Sequence, residues 1–241
     1  MRRFTSDSGF SMIEMLVSTA IGGIVLMGIL DLYVATSKST LDQTGVVEMQ
    51  MQAKAAMDYM VRDMQLMYGS PTISTTLTAN DTITFLRLVD SGYSSGGNLN
   101  STLNDTKKNW KANAFAPSGA TSYAIRIIDG TGAGQALTLA GNTATQLLTI
   151  PGAVWGTIPD ATSLYLIALN KAFTRTSDNM LRFSAGNGPY MLLADSITSL
   201  SFSQPDPNSI SISETVRSQN KDPFTHNYFY YTLTDTVQKR N

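Results

Sequence analysis

The sequence predicts an α+β protein: one long N-terminal helix followed by a large antiparallel β-sheet. Three observations predict it. Residues from Met15 to Leu30 are apolar and uncharged. Beyond them Val46, Met49, Ala53, Met57, Met60, Met64 and Met67 recur at spacings of three and four, one face of an α-helix. After Pro71 the period changes to two, with β-branched and aromatic residues between Gly, Asn, Asp and Pro turn signals.

Composition narrows the chemistry. The 241 residues suffice for one or two domains with a real core. Charged residues make up only 15%, against roughly 25% in an average domain, and 25 Ser and 29 Thr take up the difference. The absence of cysteine excludes disulfides, thiolate catalysis and cysteine-ligated metals, and a single histidine, His226, excludes a multi-histidine centre. A net charge of −1 gives no global field to recruit nucleic acid, which is not expected as a partner. Neither a cofactor nor a metal is expected, and an enzyme is not.

The N-terminal run comes first in the chain. Its 16 uncharged residues rise about 24 Å as a helix, short of a bilayer core of about 30 Å. Extending the run from Phe10 to Val34 reaches the needed length only by admitting Glu14 and Asp31. An unpaired carboxylate in a membrane costs several kcal/mol, so Glu14 asks for a partner. No cleavage site of the secretory type follows the run; the small residue, Gly9, stands before it. Cleavage after Gly9 would give Phe10 a new α-amine, and that amine on a neighbouring copy would pair with Glu14.

The string GFSMIEMLVS, after the short basic leader MRRFTSDS, closely resembles the N-terminal motif of type IV prepilins and type II secretion pseudopilins. The resemblance implies that prepilin peptidase cuts between Gly9 and Phe10 and methylates the Phe10 amine. It also implies that Glu14 serves assembly. Arg2 and Arg3 place the leader in the cytoplasm by the positive-inside rule and the remainder outside. The expected product is a single-pass inner-membrane protein with an external domain, extracellular once assembled.

From Thr36 to Tyr68 the chain contains no proline, and its only glycine is Gly45. Lys54, Asp58 and Arg62 lie off the methionine stripe at i,i+4 spacing. Gly69 and Pro71 predict the helix stop, so one helix of about 88 Å runs from Phe10 to Tyr68. The stripe predicts packing against a sheet, with Met as adaptable filler rather than as a soft-metal site. Gly22, Gly23 and Gly28 lower helix propensity; they suit close packing in a membrane or local unwinding. The expected organisation is a leader at 1–9, a transmembrane and assembly helix at 10–34, its amphipathic half at 35–68 and a β-rich domain at 69–241.

Strands are predicted at 82–89, 123–128, 136–140, 145–150, 163–169, 181–183, 197–203, 209–216 and 228–237. The stretch from Asp90 to Ser118 reads as the longest irregular segment, a binding loop or disorder. The helix end AKAAMDYMVRDMQLMYG, with its Arg62-Asp63 pair, resembles the PilW-type minor pilins, which are similar to the J-type minor pseudopilins. MLRFSAGNGPYMLLADSITSLSFS and the closing TLTDTVQKRN resemble that group too. The resemblance implies the type IV pilin-like fold and a minor pilin at or near a pilus tip that supports assembly. The implied partners are prepilin peptidase, other major and minor pilins, the inner-membrane assembly platform and, before assembly, lipid. The alternatives are a type II secretion pseudopilin and a pilus-borne adhesin or DNA-binding subunit. Many relatives carry cysteines in this domain; this chain has none, so no disulfide is carried over.

Other motifs are weaker. Gly92-Tyr93-Ser94-Ser95-Gly96 matches the nucleophile-elbow pattern, but polar loop follows where a helix is required. The glycines at 130, 132 and 134 lack a Walker lysine and precede a strand, so they read as a hairpin turn. Lys107, Lys108, Trp110 and Lys111 form a basic aromatic cluster that could contact phosphate and stack a base. Asp90, Asp105 and Asp178-Asn179 offer oxygen ligands without calcium-loop spacing.

Overall fold

The computed structural model describes residues 11–78, 81–118, 121–186, 188–222 and 225–239. Helix α1 spans Met12–Gln65, about 81 Å. Among the described residues twelve strands follow: β1 Met67–Ser74, β2 Thr82–Tyr93, β3 Thr102–Asn104, β4 Tyr123–Asp129, β5 Ala136–Asn142, β6 Gln146–Thr149, β7 Leu164–Arg175, β8 Leu181–Ala185, β9 Met191–Ala194, β10 Ile197–Asp206, β11 Ser209–Lys221 and β12 Tyr228–Gln238.

All pairings are antiparallel, but they make two sheets rather than the single one expected. The larger is ordered β1-β2-β7-β4-β5-β6-β3 and forks at β7. β2 lines one edge of β7 along its length. The other edge is shared: β4 pairs with Leu164–Leu169, and β8 with Lys171–Arg175 and then β9. The second sheet is β10-β11-β12.

The fork gives two cores. In the first, Met49, Ala53, Met57, Met60 and Met64 of α1 are buried, as the stripe predicts, with Val46 partly covered. They meet Ile83, Phe85 and Phe173 of the larger sheet and Leu200, Phe202, Ile210, Ile212 and Val216 of the smaller. The second core gathers Leu103, Phe115, Ile125, Ile127, Leu139, Leu147, Trp155, Tyr165 and Ile167. It lies past the C-terminal end of α1, where the Leu88 amide donates to the Leu66 carbonyl at 2.7 Å and β2 and β7 run on.

β11 runs antiparallel to α1. Met67–Ser70, after the helix, flank Pro207 and Asn208 at the start of β11, whereas Gly45 and Met49 flank Arg217 and Asn220 near its end. One axis therefore orders the molecule: apolar helix, first core, distal lobe.

The helix ends at Gln65, three residues before Tyr68, and Met67 already belongs to a strand. Gly69 (φ 73°) is not the helix stop; it sits in edge strand β1 where the register slips between Tyr68 and Thr72. Pro71 is tolerated there because β1 pairs only with β2. Asp90-Ser91-Gly92, expected to open the irregular segment, instead continues β2 to Tyr93. Pairing with β7 through Tyr93 and Leu164 carries it past a bulge between Leu88 and Asp90. The 90–118 segment contains strand β3 and buries Leu103 and Phe115, so it is neither a free loop nor disordered. Strands β1, β3 and β9 carry no clear alternation, so the sequence predicts no strand there.

One carboxylate joins α1 to the larger sheet. Asp63 is buried; its carboxylate lies 2.9 Å from the Arg87 Nε and also accepts from the Lys171 ammonium. Lys171 is buried as well, beside the rings of Tyr59 and Phe183. Arg62, its neighbour in sequence, is exposed. Two cations from two strands thus neutralise one acid on the helix, the arrangement that makes burial of charge tolerable.

Candidate functional site

The site begins at the helix start. Ser11 adopts an extended conformation (φ −71°, ψ 147°) and caps α1. Its Oγ accepts from the Glu14 amide at 3.3 Å, and the Glu14 carboxylate accepts from the Ser11 amide at 3.0 Å. This is a reciprocal capping box that satisfies two otherwise orphaned donors and sets a negative charge at the positive end of the helix dipole. The Ser-x-x-Glu spacing that signals it stands in the sequence, beside the assembly role that the resemblance implies for Glu14. Gly9 and Phe10 lie outside the described residues.

From Ser11 to Thr44 the described side chains are exposed, apart from half-covered Gly22 and Ser37. They include Ile13, Leu16, Ile24, Leu26, Met27, Leu30 and Leu32. Apolar surface this extensive, on a helix of a domain that does not cover it, needs an apolar medium or other helices. α1 is long and apolar enough to cross a membrane. Beyond Val34 the helix turns polar: Thr36, Thr40 and Thr44 lie on one face, each hydroxyl bonded to the carbonyl four residues back. Burial against the domain begins at Gly45 and Val46. The polar neck from residue 35 to 44 is therefore about 15 Å long.

The basic aromatic cluster is divided. Lys108 donates to Asp90 at 2.7 Å and to the Ser91 carbonyl at 2.7 Å, and the Trp110 indole donates to Asp90 at 2.7 Å. The Trp110 ring meets Phe115 and Tyr165 edge-on. Partial burial raises the Asp90 pKa, but these bonds outweigh it and hold the carboxyl below its usual range. Lys108 and Trp110 thus close the distal core; Lys107 and Lys111 are exposed. Asp105 is buried and accepts from the Tyr165 hydroxyl at 2.7 Å, and Asp178 pairs with Arg182. Gly92 is required beside Asp105: a Cβ there would lie 2.7 Å from its carboxylate.

The nucleophile-elbow pattern does not form a site. Ser94 is buried, and its Oγ accepts from the Gly96 amide and the Asn98 side chain. His226 stands in the β11–β12 hairpin, at the other end of the molecule. The glycines at 130, 132 and 134 form the turn between paired strands β4 and β5, as the sequence predicts.

Glu214 is the residue that sequence reading passed over. It is fully buried on β11, in the inward row with Ile212 and Val216, opposite Leu200 and Leu233. Neither of its oxygens has a hydrogen-bond partner among the described residues, and burial pushes its pKa up to about 8. The alternation ISISETV could have found its inward position.

Residues 5–30 match the prokaryotic N-terminal methylation motif. No curated protein and no solved structure matches the chain. The motif implies processing by prepilin peptidase and assembly with other pilins, and it ends within the apolar part of α1. The chain thus carries a prepilin-like N-terminus on a helix fit to be a single-pass membrane anchor, followed by an antiparallel β domain.

Proposed function

We propose that the chain is a PilW-like minor pilin, cut after Gly9, methylated on Phe10 and built into a type IV pilus at or near its tip, where it supports initiation of assembly. The methylation motif joined to an exposed apolar helix is the observation that carries this reading. On it, the leader stays cytoplasmic, the β domain is external, and the protein acts by assembly rather than catalysis. Lateral packing of apolar helices holds the fibre. Glu14 exchanges its bond to the Ser11 amide for the methylated amine of a neighbour.

Intact mass spectrometry of the membrane form tests processing. A methylated chain starting at Phe10 is expected; an unmodified chain starting at Met1 would refute it. Glu14→Gln separates the two roles of Glu14, because glutamine at this position still closes a capping box but carries no charge. It is expected to abolish incorporation into the fibre while leaving the domain folded, and normal incorporation would remove the charge-pairing role. Assaying the same variant for piliation and for protein secretion distinguishes a pilus subunit from a type II secretion pseudopilin.

A further inference from the structure

The face of the larger sheet turned away from α1 carries a polar hollow with no role in processing or helix packing. Side chains along a strand alternate between faces. Phe85, Lys171 and Phe173 point to the helix side, so Thr84, Asn170 and Ala172 take the opposite one. Thr84, Ala172 and Ser184 stand in register across β2, β7 and β8, with Asn170 in the next row. Those three side chains are short, which sinks the floor. Gly186, Gly188 and Tyr190 complete a hollow of about 340 Å³. Ligand pockets begin at roughly 300 Å³.

Asn170 is the anomaly in this surface. From Tyr165 to Arg175 every residue of β7 is buried except Asn170, which is exposed. Asparagine is disfavoured in strands. The fork accounts for the position but not for the side chain. β4 leaves β7 at Leu169 and β8 joins it at Lys171. Between them the Asn170 carbonyl accepts from the Gly186 amide, a bond that any residue could supply. The Asn170 side-chain amide has no hydrogen-bond partner among the described residues, and neither do the hydroxyls of Thr84, Ser184 and Tyr190. A residue that breaks a local rule without a structural return marks a functional surface.

The lining sets the chemistry of the ligand. An amide offers a donor and an acceptor at once, and each hydroxyl offers either. No carboxylate lines the hollow among the described residues. The Lys171 ammonium is spent on Asp63, on the other face. The ligand is therefore neutral and rich in hydroxyls. Tyr190 is 47% exposed and adds an apolar ring with a polar tip. A pyranose combines the matching features, hydroxyls around its edge and C–H groups on its face.

We propose that this hollow binds one sugar residue of a neutral glycan. Tyr190 lies against the C–H face of the sugar, and Asn170, Thr84 and Ser184 bond its hydroxyls. In a fibre held together by α1, this face of the sheet points away from the packed helices and stays displayed. That display rests on the assembly reading; the binding does not.

The test uses the full-length protein in a zwitterionic detergent, which, unlike a maltoside, carries no sugar. It is titrated with the methyl glycosides of glucose, galactose, mannose and N-acetylglucosamine, and saturation-transfer NMR reads binding. At least one glycoside is expected to bind in the millimolar range, with the strongest transfer to the C–H protons of one ring face. Asn170→Ala and Tyr190→Ala should each weaken that binding about tenfold, the scale of one hydrogen bond or one ring contact. Tyr190→Phe keeps the ring and should lose less. Asn170 and Tyr190 are both exposed, so the urea midpoint of the domain should not move, which separates lost binding from lost folding. Tyr230→Ala, exposed on the smaller sheet, should bind like the parent. Transfer to none of the four glycosides overturns the proposal. So does transfer that survives both Asn170→Ala and Tyr190→Ala, or an equal loss in Tyr230→Ala. Glucuronate binding as tightly as the neutral sugars would overturn the assignment to a neutral glycan.

Discussion

The two halves of α1 are one continuous helix under opposite demands. From Met12 to Val34 it is apolar on all sides and exposed; from Val46 to Gln65 it is striped, with Met and Ala inward and Lys54, Asp58 and Arg62 outward. The first half contributes nothing to the cores of its own domain. The second supplies the centre of one. The difference teaches that the helix was fitted to two solvents, and that the neck between them, polar and rich in threonine, marks the change.

Disrupting one half should leave the other intact. The largest effect is expected at Asp63. Asp63→Ala leaves Lys171 buried without its carboxylate, which costs about 3–5 kcal/mol. Urea unfolding of the domain should show this loss, with membrane insertion unchanged. Leu26→Asp is the converse. It adds about 3 kcal/mol to the insertion cost at the helix centre and should leave the urea midpoint of the domain where it was.

Glu214 sharpens the comparison by pH. Its folded pKa, about 8, stands above the ordinary value of 4.5. Between these values the folded state keeps a proton that the unfolded state has lost. The stabilisation is complete below the lower value and disappears as pH rises through the upper. Stability should therefore fall by about 1.4 kcal/mol per pH unit across this window and level off above it. Glu214→Leu should abolish that slope and raise stability at neutral pH; a parallel slope in the variant would show that another group carries it. The smallest effect is at Ser11, where Ala removes one side of the capping box at a cost of about 1 kcal/mol, read as fraying of the first turn by hydrogen exchange.

Much of this was legible because it is local. The methionine stripe places its own residues inward, since a helix repeats every 3.6 residues wherever it packs. Nine of the strands announce themselves by alternation, and the Asp129-Gly130 turn by its glycines. What failed did so for a long-range reason. Asp90 to Gly92 looks like a turn, yet pairing with residues more than seventy positions later keeps it extended. Trp110 and Lys108 look like a ligand surface, yet Asp90, some twenty positions earlier, draws both inward.

By itself the sequence determined the processing motif, the polarity of the helix and the face it buries. All of these follow from composition and from periods within a few residues. The tertiary structure alone decided that the sheet forks at β7 into two cores, that Asp63 and not Arg62 is the buried latch, and that Glu214 has no hydrogen-bond partner among the described residues. Each of those depends on which distant strand lies alongside. Such pairings are settled by the joint burial of surfaces far apart in the chain, which no local pattern encodes.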